Sequence, residues 1–229
     1  MSTSGTYTFN PSLGELTLYA YNLIDVRNTA LAQEHMEAAR MASNLMLARW
    51  SNQGVNLWAV DLVTVPLVQG QATYSVDANT VMILDAYMAI TNSGPEIDRI
   101  IMPVSRSEYA SYPNKDQQGF TTVYWFDRLL SPTITLWPVP DGQSAQDLKY
   151  YRVRQLQDSE FTSGQQVEIP YLWLEAFAYG LAERLAVIWN PQKLALLKPL
   201  SDEAYNIAAA QNIEVAQQYI TPQLAGYYR

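Results

Sequence analysis

The hydrophobic period of this chain changes twice, and each change falls close to a glycine. Apolar residues recur at helical spacing up to Gly54, lose it from Asn56 to Gln157, and regain it after Gly164. A recurrence every three to four residues marks a helix with one buried face, whereas short apolar runs bounded by turn residues mark strands. A chain ordered helix, strands, helix does not make a doubly wound parallel sheet, in which strands and helices alternate. The expected fold is α+β: a helical part, its N- and C-terminal helices packed together, carrying an inserted antiparallel β-sandwich or barrel-like sheet.

The helical front divides in two. Thr6 to Asn10 alternates polar and aromatic residues, a pattern for an extended arm that adds to a neighbour. Asn10-Pro11-Ser12 ends it, and Ser12 with Glu15 three residues on is a capping-box pattern that opens a first helix reaching about Val26. The second helix is expected over Leu31 to Gln53. At 100° per residue, Leu31, Ala38, Ala39, Ala42, Leu45, Met46 and Trp50 fall in one arc of about 140°. Gln33, Glu34, Glu37, Arg40 and Asn44 face the other way, and Gly54 stands where a C′ glycine stops a helix.

Strands are expected at Trp58 to Val65, Gln71 to Val76, Val81 to Ile90, Ile97 to Val104, Thr121 to Phe126, Thr133 to Trp137 and Leu148 to Val153. Gly70-Gln71, Asn92-Ser93-Gly94-Pro95, Ser131-Pro132 and Asp141-Gly142 supply the turns between them. Beyond Gly164, Ile169-Pro170 opens a helix whose Leu174, Phe177, Ala178, Leu181, Leu185 and Ile188 share a stripe. Asn190-Pro191 reads as a cap with proline at the first helical position. Pro199 then interrupts, and Ser201-Asp202-Glu203 starts a last helix that ends before Thr221-Pro222. No flexible linker is evident, so residues 1–229 read as one domain: helical over 1–55, β-rich over 56–157, helical over 165–220, and a tail over 221–229.

Composition narrows the function. Lys and Arg number 14 against 22 Asp and Glu, a formal charge of −8, whereas gripping nucleic acid needs clustered cations. Cysteine is absent, which removes disulfides, thiolate metal sites and cysteine nucleophiles. No apolar run approaches the ~18 residues of a membrane span, and the N-terminus lacks the pattern of a secretory signal. The product is expected to be soluble and made in the cytoplasm. Charged residues are only 16% of the chain while tyrosine occurs 16 times. Charge-poor, tyrosine-rich surface is the composition of an assembly interface.

Candidate chemistry is sparse. His35 is the only histidine and falls inside the apolar arc of the second helix, the place of a core or interface residue. No cofactor, metal or phosphate cradle is indicated: Asp77, Asp85 and Asp98 are scattered, and Gly14, Gly54, Gly70 and Gly94 are isolated. Glycoside hydrolysis needs only two carboxylates, so Glu15, Glu34, Glu37, Glu175 and Glu183 keep a peptidoglycan-degrading alternative open. Trp58, Trp125, Trp137 and Trp173 with Tyr109, Tyr112 and Tyr124 would suit a carbohydrate-stacking platform; the competing reading is packing across a sheet. Neither alternative outweighs a structural, non-enzymatic role.

Four phrases in order narrow the choice further: Asn44, Leu45 and Trp50; Gly70, Gln71, Tyr74 and Val76; Trp137, Pro138, Pro140 and Asp141; Ile169 and Pro170. In that order the chain resembles, from about Leu13 to Gln218, the head-to-tail adaptor proteins (tail accessory, or head-closure proteins) of short-tailed bacteriophages. The resemblance implies a virion protein that forms a dodecameric ring beneath the portal, joins head to tail, extends the DNA channel and helps retain the packaged genome. It implies the portal protein and tail nozzle or tail fibre proteins as partners, no membrane, and DNA passing without sequence-specific binding. The Tyr109-to-Phe120 loop and the chain beyond Pro222 match no family pattern.

Two placements follow from that role. A channel that lets DNA slide is expected to be acidic or neutral, with Glu175, Glu183, Asp202, Glu203 and Glu214 as the channel-facing candidates. The tail after Pro222 is expected to dock on the portal through Leu224, Tyr227, Tyr228 and Arg229, because tyrosine and arginine are typical interface anchors. Ala204, Ala208, Ala209 and Ala210 suit either close approach to a neighbouring copy or an ordinary core.

Overall fold

The computed structural model describes residues 3–54, 56–91, 95–162 and 164–213. Among them it contains five α-helices, α1 (Leu13–Leu23), α2 (Gln33–Gln53), α3 (Arg106–Ser111), α4 (Leu174–Trp189) and α5 (Leu194–Gln211). Seven strands lie between α2 and α4: β1 (Val60–Pro66), β2 (Thr73–Ser75), β3 (Thr80–Thr91), β4 (Ile97–Pro103), β5 (Val123–Asp127), β6 (Thr133–Trp137) and β7 (Ala145–Arg154). The fold is α+β, with the sheet inserted into a helical part.

Helix α4 is the axis of the helical part. Leu174, Phe177, Leu181 and Leu185 share its buried side with Ala176, Ala178, Gly180, Ala182 and Ala186, so small residues let α1, α2 and α5 approach closely. A Cβ on Gly180 would stand 2.6 Å from the Met46 sulfur of α2. The buried face of α2 is set about 60° from the one its pattern predicts. Ser43 and Leu47 go inside, while Leu45, at the edge of the expected arc, is 60% exposed. Ile188 also lies outside the core. Around the far end of α2, Trp50 meets Trp173 at 5.0 Å between ring centroids, and Trp58 meets Trp173 at 4.9 Å.

The caps decide where the helices stop. Ser12 and Glu15 form the expected capping box: Ser12 N–H donates to the Glu15 carboxylate at 2.8 Å, and Glu15 N–H to Ser12 Oγ at 3.3 Å. Helix α1 ends at Leu23, short of Val26, because Asp25 adopts a left-handed conformation, φ 64°. Asn190 takes the N-cap position ahead of Pro191 as expected, but its side chain makes no capping bond there; its amide donates to Ile24 O at 3.1 Å and closes the end of α1. Gly54 ends α2 in extended backbone, φ 172°, rather than in the left-handed form of a C′ glycine. Pro199 does not interrupt: it lies just past the first turn of α5, removes one i→i−4 bond, and the helix runs on through Ser201. That helix ends at Gln211, well before Thr221.

The strands form one curled sheet in the order β1-β7-β3-β4-β5-β6-β2, the barrel-like form of the two expected. All neighbours pair antiparallel except β4 and β5, which run parallel over Met102↔Val123 and Pro103↔Tyr124. The long connection between those two carries α3, whose second half falls in the stretch expected as the Tyr109-to-Phe120 loop. The concave side holds a second core of Tyr74, Met88, Ile101, Tyr124, Ile134, Leu136, Leu148 and Tyr150.

The two cores are joined by polar clamps. The Asn44 side-chain amide accepts from Ser159 N–H at 2.8 Å and donates to Ser159 O at 3.2 Å, holding the strand-to-helix crossover on α2. Arg154 at the end of β7 pairs with both oxygens of Glu168, one at 2.9 Å, and with Asp61 at 3.3 Å. Glu168 accepts from Gln157 N–H at 2.9 Å, and its backbone carbonyl accepts from Trp58 Nε1 at 3.1 Å. The Arg154 hydrogen bonds hold the Glu168 carboxyl below the ordinary carboxylate range.

Candidate functional site

Two of the recognition phrases meet at one end of the sheet. Gly70, with φ 77°, turns the chain so that its N–H donates to Pro140 O at 3.0 Å. The Tyr74 hydroxyl spans that turn, accepting from Val68 N–H at 2.9 Å and donating to Val68 O at 3.2 Å. Gly142, φ 73°, permits the matching turn after Asp141, where a Cβ would meet the Gln69 side chain at 2.9 Å. Thus the Gly-Gln-x-x-Tyr phrase and the Trp-Pro-x-Pro-Asp phrase are two sides of one turn contact. The Asn44 clamp and Trp50 in the aromatic cluster give the first phrase the same kind of work. These phrases build the fold rather than a reaction centre.

The possible reactive groups are dispersed. His35 is buried, its ring stacked on Trp189 at 4.0 Å, with Nδ1 accepting from Ala32 N–H at 3.2 Å. Glu15 is occupied in the capping box, which lowers its pKa through the Ser12 backbone and hydroxyl bonds. Glu37 accepts from Gln33 on the exposed side of α2, and Glu34 is exposed beside it. Among the described residues no group of three or more His, Asp or Glu is placed to hold a metal ion.

The seven candidate platform aromatics separate. Trp58 and Trp173 lie in the helical core and Tyr124 in the sheet core. The other four come together against α3: Tyr112 stacks on Trp137 at 4.2 Å and Tyr109 on Trp125 at 5.4 Å. Lys115 ties this motif down by donating to Tyr109 O and Tyr112 O at 3.0 and 2.9 Å. Tyr109 and Tyr112 thus lay one ring each from α3 onto Trp125 of β5 and Trp137 of β6, a helix-on-sheet contact that leaves the four rings half-buried.

The acidic candidates also divide. Glu183 and Asp202 come together in one polar recess with Arg49, Arg184 and Tyr205, and Glu203 lies exposed next to Asp202. Burial holds the Arg184 guanidinium below its usual pKa, and Arg49 adds to that. Glu175 is elsewhere, on the wall of an apolar groove of about 630 Å³ between α1, α4 and α5. Glu214, Leu224, Tyr227, Tyr228 and Arg229 lie outside the described residues. Ala204 and Ala208 are buried in the chain's own helical core, so they serve α4–α5 packing.

Sequence reading missed the surfaces that stand open. The groove carries Phe9, Leu16, Tyr19, Tyr171, Leu172 and Ile207. A second patch exposes Ile100 and Met102, on the side of β4 opposite the buried Ile101, and a third is the β5–β6 turn, where Leu129 is exposed and Leu130 fully so. The only advance signal was local: Leu129-Leu130 precedes the turn residues Ser131-Pro132. No helix among the described residues is long and apolar enough to cross a membrane.

An α+β chain with helices at both ends, a curled sheet between them and open apolar surfaces has the build of a part made for assembly. The family model described as SU10 adaptor protein matches residues 18–222. The chain belongs to this family and is therefore a structural phage adaptor, a virion component that contacts other head and tail proteins. No curated protein matches the sequence.

Proposed function

We propose that copies of this adaptor close into a ring, twelve in number by the family resemblance, between the portal and the tail. The ring lengthens the DNA channel and helps hold the packaged genome. The observation that carries this reading is the separation of the open apolar surfaces: the α1–α4–α5 groove, the outer side of β4 and the Leu129-Leu130 turn are distinct from one another. A ring subunit needs different faces for its two neighbours, because its lateral contact is heterologous, and further faces for the proteins above and below.

Within that arrangement Glu183, Asp202 and Glu203 are the acidic groups assigned to the channel, with Glu214 next in sequence; Glu175 belongs to the groove. The segment carrying Leu224, Tyr227, Tyr228 and Arg229 attaches to the portal, and tail nozzle or fibre proteins take the opposite rim. Quantitative mass spectrometry of purified virions tests the reading. It expects this chain in the same copy number as the portal protein; absence, or a single copy, refutes the ring. Deleting residues 221–229 is expected to leave the fold intact and weaken attachment to the portal, and undiminished attachment refutes that assignment.

A further inference from the structure

The groove between α1, α4 and α5 and the N-terminal arm beside it are both uncovered, and each has what the other lacks. Tyr171, Leu172 and Ile207 on the groove walls are 67%, 61% and 61% exposed. Contiguous open apolar surface of this kind marks an interaction site. Residues 3–10 belong to no helix or strand and are exposed throughout. Phe9 touches the groove rim, edge-on to Tyr171 with centroids 6.4 Å apart, while Tyr7 is fully exposed. In extended chain these two residues share a face.

The base of the arm is held in place. Pro11 locks its own φ and confines Asn10 to extended conformations. Ser12 is held by the Glu15 carboxylate, and Leu13 N–H donates to Gln165 O at 2.8 Å. Tyr7 is fully exposed and takes no part in lining its own chain's groove, although Phe9 and Pro11 do. Extended from Thr6 to Asn10, the arm spans about 17 Å, enough to reach onto an adjacent molecule. Residues 3–12 include no charged side chain, so they bring no like charge against Glu175 on the groove wall.

We propose that the arm of one copy lies in the α1–α4–α5 groove of the next, with Tyr7 as its anchor between Leu172 and Ile207. The contact is heterologous and repeats from copy to copy, so it rests on the ring reading and supplies one of its lateral bonds. Phe9 stays at the seam between the two molecules.

The absence of cysteine makes the test direct. Rings are assembled, with the portal protein where assembly requires it, from an equal mixture of Tyr7→Cys and Ile207→Cys chains and then oxidised. A covalent dimer that neither variant gives alone is expected, and the double variant Tyr7→Cys/Ile207→Cys is expected to give a ladder of covalent oligomers. A cross-link confined to single chains, a cross-link to the portal or another protein, or intact rings with no cross-link would each overturn the arm exchange. Deleting residues 1–10 is expected to weaken ring assembly by roughly tenfold or more, the effect of losing an interface anchor; assembly at full strength would also overturn it. If the wild-type chain forms no ring, the ring reading fails and the arm contact falls with it, whereas rings lacking the cross-link dismiss the arm contact alone.

Discussion

The helical part and the sheet hide their apolar residues in different ways. Helix α4 is wrapped by α1, α2 and α5, so its buried residues occupy most of its circumference and the packing tolerates little change of volume. The sheet is curled around a single concave core, and its convex side leaves Ile100, Met102 and Tyr151 partly or largely open. The two cores share no residue and meet through Asn44, Arg154, Glu168 and Trp58. What this teaches is a division of labour. A closely packed body carries the arm, the groove and the α5 end, and a sheet held to it by directional polar bonds offers further faces for contact.

Changes inside the helical body should cost most. Phe177→Ala removes a fully buried ring that meets Trp50, and is expected to destabilise the chain by about 3–5 kcal/mol in denaturant melts. A loss under 1 kcal/mol would break the contrast with the sheet. Gly180→Val places a Cβ 2.6 Å from the Met46 sulfur and should cost roughly 1–3 kcal/mol. Combined with Met46→Ala, whose buried side chain is itself costly to remove, the loss should be smaller than the sum of the two single losses, since the two act at one contact.

The clamps come next. Asn44→Ala strands the Ser159 N–H and carbonyl and should cost about 1–2 kcal/mol, with hydrogen exchange rising over residues 155–162 before the rest of the chain. Uniform protection would contradict a local clamp. Glu168 has a lowered pKa in the folded chain. Its contribution is therefore complete above the unfolded carboxylate value, near ~4.3, and is lost as pH falls through the folded value. Melting temperature should drop with acidification in that window, and Glu168→Gln should flatten that part of the profile; an unchanged profile would remove Glu168 from the account. The smallest effect is at the sheet rim, where Leu130→Ser should alter stability by no more than about 0.5 kcal/mol. A larger loss would mean that the turn supports the fold and is not a contact surface.

Much of this division was legible in the residues, because it depends on local pattern. Seven strand runs and the Ser12–Glu15 cap were readable from alternation, turn residues and spacing. What escaped depended on partners distant in sequence. Leu45 looked buried by period alone, yet the side of α2 that goes inward is the one carrying Met46, which meets Gly180 far along the chain. Asn190 stands at its expected cap position, yet its side chain finds its acceptor in Ile24 O. Helix α3 had a local signal, Ser105 with Glu108 three residues on, and Ser105 Oγ does accept from Glu108 N–H at 3.1 Å. The open groove had none, since it is assembled from the arm, α1, the start of α4 and the end of α5. The acidic candidates were chosen for charge; only the pairing of Glu183 with Asp202 emerges from the packing.

The ring is the claim on which the rest depends, and electron microscopy of the purified chain mixed with its portal protein tests it most directly. A closed ring of twelve copies seated coaxially on the portal around an open channel is expected. Portal particles that stay bare at saturating concentrations of the chain, or that carry a single off-axis copy, would contradict it.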